Sequence, residues 1–381
     1  MIDMLRFGIL LAALPIVGAL VFVANSKPAK DTLWPTSRFT ELDRQRSILR
    51  GLEFIYASAS TPKHFEDNGD NLLWRFYSLS AAAKDPQLKR RAWEMGQERA
   101  HAWRKMYPHV PANADAGVIG GLAFGSLSAT MLDVPDEVLK AELVKAAHNF
   151  KAEDYLNFDP AKEPPPSDVP RTCKKCKSSN PRGTKVCRKC GETLLMNSPY
   201  DVLSEALIAA YTTDRYGVWL GGSYEDVAQW IPQMRPYPKP GDKNFRNSPD
   251  ASYAVTYIVY TLNNYKLYKL RPEWLPQEYA YLKANLEANI AKKDTETLGE
   301  FMDTLRSFGV DENDQGMRNG VEFLLAHQNP DGSWGKMEQS DSYVRYRTTW
   351  TAMNGIMQYE WRDEGVIFPE ALRHIQASEQ Q

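Results

Sequence analysis

Four cysteines have the residue type and spacing most clearly suited to chemistry, and all lie within eighteen residues. They are Cys173, Cys176, Cys187 and Cys190, spaced C-x2-C-x10-C-x2-C. A two-residue spacer lets both thiolates of a pair face one ion, and four thiolates fill a tetrahedral shell at about 2.3 Å with no position left for water. The spacing therefore predicts a structural Zn2+ site. A pair of disulfides is the alternative if the domain is exported.

Cations crowd this segment, and no acidic residue lies between Arg171 and Cys190. The segment resembles the short zinc ribbons found as accessory modules in many bacterial and archaeal proteins, and all four ligand positions match. The cations suit an anionic partner such as lipid headgroups or nucleic acid, or they offset the charge of four thiolates. Because no aromatic residue stands among them to stack a base, we do not expect nucleic acid. The cations are Arg171, Lys174, Lys175, Lys177, Arg182, Lys185, Arg188 and Lys189.

The sequence on both sides of the cysteines has the apolar periodicity of helices. About twelve or thirteen helices joined by short turns are expected, which is typical of a helical array. One hairpin has Gly320, Phe323, Gln328, Gly332 and Trp334 at the spacing G-x2-F-x4-Q-x3-G-x-W. This resembles the QW repeat of the squalene-cyclase and protein-prenyltransferase group. The resemblance implies an all-α fold, an α/α toroid of about six helical hairpins, in which the Gln and the Trp are structural clamps.

In such a toroid, helix starts and the loops before them would line a shared cavity, and three polar clusters fall at such places. Carboxylates beside Tyr, Arg and Trp suit acid/base chemistry or binding of a sugar or polyprenyl phosphate. Asp67, Asp250 and Asp341 are the catalytic candidates. Each cluster also has a structural alternative, since Asp67 and Asp250 suit helix N-caps and Arg345 suits an ion pair with Asp341. The ligand-binding candidates are His64, Asp70, Trp74, Tyr253, Tyr257, Tyr343, Arg345, Tyr346 and Trp350.

The sequence departs from this group at its catalytic motifs. Class II terpene cyclases need D-x-D-D, whereas the nearest match, Asp311-Glu312-Asn313-Asp314, has Asn at one required Asp. The prenyltransferases bind catalytic zinc through Asp, Cys and His, and no cysteine follows Cys190. Neither activity is therefore expected. The sequence also has no nucleophile elbow, Walker loop, zinc-protease motif or dinucleotide fingerprint.

Residues 1–30 are expected to hold a single-pass membrane anchor. Phe7 to Ala24 is a run of eighteen uncharged, mostly apolar residues, about the minimum for a hydrocarbon core of ~30 Å. A signal peptide cleaved near Ala24-Asn25-Ser26 is the alternative. The side of the membrane stays open. Cations are more frequent after the segment than before it, which favours a cytoplasmic body, whereas N-terminal anchors in bacterial-looking chains usually export the rest of the chain.

The length, composition and net charge of the chain limit its possible functions. The chain of 381 residues is 43% apolar, enough for a large core, and its net charge of −2 gives no global field toward nucleic acid. We expect a membrane-tethered toroid that binds a lipid-linked or carbohydrate-like ligand, with cleavage or modification of that ligand left open. A non-catalytic scaffold that docks a partner protein through toroid and ribbon is the alternative.

The expected organisation of the chain has five parts. They are the anchor (1–30), the first part of the toroid (37–151), an unpacked proline-rich linker (152–170), the zinc ribbon (171–194) and the second part of the toroid (198–376).

Overall fold

The computed structural model describes residues 32–238, 248–339 and 341–377 of the chain. Within these ranges the chain is all-helical, which confirms the expected all-α class, and strand pairing is limited to isolated bridges. The first seven helices are α1 (Glu41–Ala59), α2 (Pro62–Ala82), α3 (Pro86–Met106), α4 (Ala116–Met131), α5 (Glu137–Ala147), α6 (Ala152–Leu156) and α7 (Pro199–Tyr216). The others are α8 (Tyr224–Ala228), α9 (Ser248–Leu262), α10 (Pro276–Ala291), α11 (Thr295–Ser307), α12 (Gln315–Ala326), α13 (Ser342–Ile356) and α14 (Pro369–Ala377).

Short polar side chains and prolines mark the helix starts. Thr40 caps α1 in a reciprocal pair with Asp43, and Asp85 and Asp115 cap α3 and α4 through their carboxylates. Helix α2 begins earlier than its sequence suggested. It starts at Pro62, whose missing N–H needs no partner in a first turn, so Asp67 lies inside the helix and does not cap it.

Six helices contact one another in a cyclic order. Helix α2 packs on α4, α4 on α7, α7 on α9, α9 on α11 and α11 on α13, and α13 returns to α2. Other helices pack outside these contacts: α1 lies against α2 and α13, α3 against α2 and α4, and α12 against α11 and α13. Residues far apart in sequence, from α2 and from α13, are therefore neighbours.

The turn after α12 joins that helix to α1. Gln328 donates from Nε2 to the carbonyl oxygens of Ser47 and Gly332, at 2.8 and 2.9 Å. Trp334 is fully buried, and its indole Nε1 donates to the Leu324 carbonyl at 2.7 Å. Gly332 has a φ of 88°, a conformation that a side chain would strain. The Gln and the Trp therefore make structural contacts between α1 and α12.

The segment 152–170 differs from the expected free linker because it is packed. It opens with α6, which contacts α4 and α7, and Phe158 and Val169 are buried. The indole of Trp230 donates to the Pro160 carbonyl at 2.8 Å. The prolines do not keep this segment away from the core, because the apolar residues between them are buried against the helices.

The predicted membrane anchor lies outside the described residues. Among the helices that are described, none is both long enough and apolar enough to span a bilayer.

Candidate functional site

The four cysteines of the predicted metal site lie together. Their Sγ atoms all fall within 4.8 Å of one another, with Cys173 to Cys190 and Cys176 to Cys187 each at 3.5 Å. All four are free thiols. Ligands at about 2.3 Å from a tetrahedral ion would be separated by about 3.8 Å. The cluster therefore has the donor set and spacing to hold a metal ion.

Two equivalent turns position the thiols. The amide of Lys177 donates to the Cys173 carbonyl at 2.8 Å, and that of Gly191 donates to the Cys187 carbonyl at 2.9 Å. Each turn ends in a left-handed residue, with φ values of 57° at Lys177 and 74° at Gly191. The hydroxyl of Ser178, hydrogen bonded to the Cys187 Sγ, lowers the pKa of that thiol to about 5. A thiolate is the form that binds metal.

The cations around the cysteines fall into two groups. Arg171 pairs with Asp201 at 2.5 Å and with Asp250 at 3.2 Å, which ties the cysteine module to α7 and α9. Arg182 pairs with Glu163 and Asp168. The remaining cations are exposed and form no ion pair with any residue that the structure describes. They are Lys174, Lys175, Lys177, Lys185, Arg188 and Lys189.

Asp250 and Asp201 form a carboxylate pair beside Arg171. Burial and the charge of Asp250 raise the pKa of Asp201 to about 6. One turn further along α7, burial followed by the charge of Asp201 also raises the pKa of Glu205. Burial therefore raises the pKa of two carboxyl groups on the same side of α7.

A second polar group lies where α2, α9, α11 and α13 meet, and we call it the Arg75 cluster. The Arg347 guanidinium lies 4.4 Å from the Tyr253 ring centre and forms ion pairs with Glu296 at 2.7 Å and Glu300 at 3.7 Å. The Arg75 guanidinium lies 4.9 Å from the Trp350 ring centre. The hydroxyls of four tyrosines act electrostatically on Arg75. The cluster consists of Arg75, Tyr253, Tyr257, Glu300, Tyr343, Tyr346 and Arg347.

Glu300 supplies the carboxyl group of this cluster. Burial raises its pKa to about 7, against the opposing charge of Arg347. A carboxyl that titrates near pH 7 can both give and take a proton under neutral conditions. Burial also raises the pKa of Asp70, which lies close enough to act electrostatically on Tyr346.

The structure brings Asp67 and Asp341 together around His64. Burial lowers the pKa of His64, and both aspartates oppose that shift. The His64 Nδ1 lies 2.8 Å from the Ser342 hydroxyl, and its ring packs against Tyr346 with 5.1 Å between ring centres. Asp67 is exposed and paired with Lys63 at 2.7 Å. This histidine therefore connects the aspartates to the Arg75 cluster.

The other predicted residues divide between the cluster and its surroundings. Asp341 caps α13 through the amide of Tyr343, and Arg345 pairs with Asp331 at 2.6 Å, in place of the alternative pairing with Asp341. Trp74 is buried, with Phe124 and Tyr265 at 5.2 and 4.6 Å between ring centres. Asp250 is in the first turn of α9 and contacts Arg171.

The sequence patterns did not identify Arg75, Asp201 or Glu300 as candidate site residues. Arg75 carried a usable signal, since it is the one charge in Leu72–Ser80, the apolar stretch LLWRFYSLS. A lone cation in an apolar helix has to be neutralised or be available to a ligand. Glu300 has no comparable local signal, because its shifted pKa depends on helices distant in sequence.

No protein-family model, no curated protein and no solved structure matches this chain. The resemblance to the α/α toroids accordingly rests on Gly320 to Trp334.

Proposed function

We propose that the chain is an α/α toroid whose central hollow binds a carbohydrate-like or lipid-linked ligand. The cyclic contacts of α2, α4, α7, α9, α11 and α13, with other helices packed outside them, support this architecture. Six inner helices and an outer layer are what paired hairpins closed into a ring would give. The Gln328 and Trp334 contacts resemble the clamps of the QW group.

The Arg75 cluster is the single observation that carries the ligand proposal. Four helices of the cycle contribute two guanidinium groups, a carboxyl group and four tyrosines to one place. Arg75, Tyr253, Tyr257 and Arg347 are only partly buried, and the Tyr346 hydroxyl is buried without a partner. Buried polar groups normally have partners, so this arrangement is suited to a polar ligand supplying them.

Glu300 is the group best suited to proton transfer if the ligand is modified in the hollow. Its pKa of about 7 and its position beside Arg347 favour it over the exposed carboxylates of Asp67 and Asp341. Those two aspartates, with His64, would bind ligand at the rim. Asp250 would act with Asp201, whose pKa burial and the charge of Asp250 raise to about 6.

We propose Zn2+ as the ion held by the four cysteines. Four thiolates with no open position fit a structural zinc, which would fix the module against α7 through Arg171. Purified protein should contain about one zinc per chain. Metal-free protein with four free thiols that fails to bind added zinc would contradict this proposal.

We also propose that residues 1–30 tether the protein to a membrane, as their apolar run suggests. The six exposed cations of the cysteine module would then face anionic headgroups or a partner near the surface. Cosedimentation of the full chain with vesicles, compared with a chain lacking residues 1–30, tests the tether. Equal partitioning of the two chains would rule it out.

A scaffold that docks an acidic partner protein is the second candidate function. The exposed, unpaired cations of the module favour it, because a surface that only offsets four thiolates needs fewer charges. Polyglutamate serves as the probe. Replacement of Lys174, Lys175 and Lys189 by Glu should abolish its binding without changing any ligand binding at the Arg75 cluster.

The ligand proposal is tested by thermal unfolding in the presence of a panel of glycans and polyprenyl compounds. A ligand that binds the native state raises the unfolding midpoint, and the rise grows with its concentration. Tyr346→Phe removes only the unpartnered hydroxyl and should weaken that response. A panel without any stabilising compound would count against a ligand-binding hollow.

A further inference from the structure

Arg75 differs from the other buried arginines of the protein. Arg44 and Arg306 both pair with Glu312, at 2.7 and 3.0 Å, and Arg235 pairs with Glu278 at 2.7 Å. The side chain of Arg75 makes no hydrogen bond or ion pair with any residue in the described ranges, and its Nε is shielded from solvent. Its guanidinium instead stacks on the face of Trp350. A partly buried guanidinium without a carboxylate is costly unless something else supplies the negative charge.

The groups around Arg75 are hydrogen-bond donors more than counter-charges. The hydroxyls of Tyr253, Tyr257 and Tyr343 make no hydrogen bond within the described part of the chain, and the Tyr346 hydroxyl is buried and unpartnered. A phenol donates well to an oxyanion. Four such hydroxyls and a free guanidinium together form a set of donors that lacks an acceptor.

The acidic groups nearby do not pair with Arg75. Burial raises the pKa of Glu300 to about 7, against the charges of Arg347 and Arg75. Burial also raises the pKa of Asp70, which lies within electrostatic range of Arg75 but accepts its hydrogen bonds from Asn71. Glu296 and Glu300 form their ion pairs with Arg347, not with Arg75. Among the described residues, no carboxylate is therefore in direct contact with the Arg75 guanidinium.

Open space lies along one face of α4, next to Asp70. A Cβ added at Gly120 would meet no atom within 4 Å, and one at Gly121 would meet only Asp70 Oδ2, at 3.9 Å. Phe124 continues the same face of α4 and packs against Trp74 on α2. Helix α4 therefore leaves bare backbone next to Asp70, which itself acts electrostatically on Tyr346 of the cluster.

We propose that the hollow recognises an oxyanion on its ligand, with Arg75 as the counter-charge and the tyrosine hydroxyls as hydrogen-bond donors. This inference rests on the proposed function, because it assigns the chemistry of the same ligand site. A carboxylate on a sugar and a phosphate on a polyprenyl chain share this chemistry, and both suit a fork of N–H donors. The aromatic faces of Tyr253 and Trp74 would pack against the rest of either ligand.

The test compares charged and neutral members of two ligand pairs by calorimetric titration into the full chain. Glucuronate is paired with glucose, and farnesyl phosphate with farnesol. The expected result is that at least one charged member binds tenfold or more tightly than its neutral partner, and the identity of that pair tells the carbohydrate source from the lipid source. Arg75→Met should remove this preference, and Arg75→Lys should keep part of it.

Arg99→Met is the matched control. Arg99 also stacks on aromatic rings, at 5.9 Å from Tyr56 and 5.7 Å from Phe65, and its Nε is likewise unpartnered, but it lies on α3 outside the helix cycle. Its replacement should leave the charge preference unchanged. Equal binding of charged and neutral members, or a preference that survives in folded Arg75→Met, would overturn the oxyanion assignment and leave the hollow as a ligand site. Failure of all four compounds to bind would overturn both.

Discussion

Two cations that lie close to the ring of one tryptophan show different uses of charge in this protein. Lys266 lies 5.0 Å from the Trp350 ring centre, and Arg75 lies 4.9 Å from it. Lys266 is neutralised by Asp303 at 2.7 Å, and Asp303 also accepts hydrogen bonds from Tyr260 and Tyr359, at 2.9 and 2.6 Å. We call these four residues the Asp303 network. Arg75 has no such partner, although it contacts the same ring.

The charges of the Asp303 network are balanced within the protein, whereas the proposed function has a ligand supply the acceptors that the Arg75 cluster lacks. In the Asp303 network the acceptors match the donors, as a structural ionic core requires. With its amide oxygen turned toward Lys266, Asn354 accepts from Lys266 Nζ at 2.7 Å and from Trp350 Nε1 at 3.0 Å. The Arg75 cluster instead has donors in excess. Equivalent substitutions at the two sites should therefore have unequal effects on folding.

The largest effect is expected for Lys266→Met. Methionine keeps much of the side-chain volume but leaves Asp303 buried and charged, and breaking a buried ion pair in this way costs about 3 to 5 kcal/mol. The free energy of unfolding from urea titration, followed by circular dichroism at pH 7, measures the loss. Replacing Asp303 by Asn in the same chain should recover part of it, since the uncompensated charge is then gone. A loss below about 1 kcal/mol would mean that the pair is not structural.

Glu312→Gln tests a third ionic site, where one carboxylate serves two buried arginines. Although burial acts to raise it, Arg306 and Arg44 lower the pKa of Glu312 to about 2. A depressed pKa in the folded state contributes stability above pH 4.5 that is lost as the pH falls toward 2. We expect Glu312→Gln to cost on the order of 3 kcal/mol at pH 7 and to flatten the pH dependence of unfolding between pH 4.5 and 2. An unchanged acid limb would contradict this assignment.

Glu300→Gln should have the opposite sign and a smaller size. Burial raises the folded-state pKa of Glu300 to about 7, so its stabilising contribution is complete below about pH 4.5 and is lost as the pH rises through 7. Glutamine removes the cost of the buried charge, and Arg347 keeps Glu296 at 2.7 Å. The variant should be about 2 kcal/mol more stable than the wild type at pH 8 and equal to it at pH 4. Urea titrations at both values decide this, and a variant that is less stable at pH 8 would refute it.

The sequence was most informative where structure is local. The C-x2-C spacing places two thiols on one turn, and the structure brings the two pairs together in a cluster that can hold a metal. The start of α4 is also encoded locally, because Asp115 caps the helix and the residues after it are uncharged. The start of α2 was misplaced because Asp67 and Asn68 suit a cap as well as Thr61 and Pro62 do.

The polar sites were harder to predict because they depend on contacts between distant helices. Arg345 was expected to pair with Asp341, four residues away, but α1 and the turn after α12 draw it to Asp331 and the Phe54 ring. Likewise, nothing near Glu300 in the sequence reports the burial that shifts its pKa. Packing between helices that are distant in sequence sets these neighbours, and a linear pattern carries no record of it.

The smallest effect on folding is expected for Arg75→Met, the counterpart of Lys266→Met at the same Trp350 ring. Methionine loses a cation–π contact worth about 0.5 to 2 kcal/mol, but it also removes an unpaired guanidinium whose desolvation opposes folding. These terms have opposite signs, so we expect unfolding to change by less than about 1 kcal/mol, measured under the same conditions as for Lys266→Met. A loss as large as that of Lys266→Met would mean that Arg75 holds the helices together through Trp350. A near-neutral result would leave its unpaired charge without a structural explanation, which is what a residue reserved for a ligand requires.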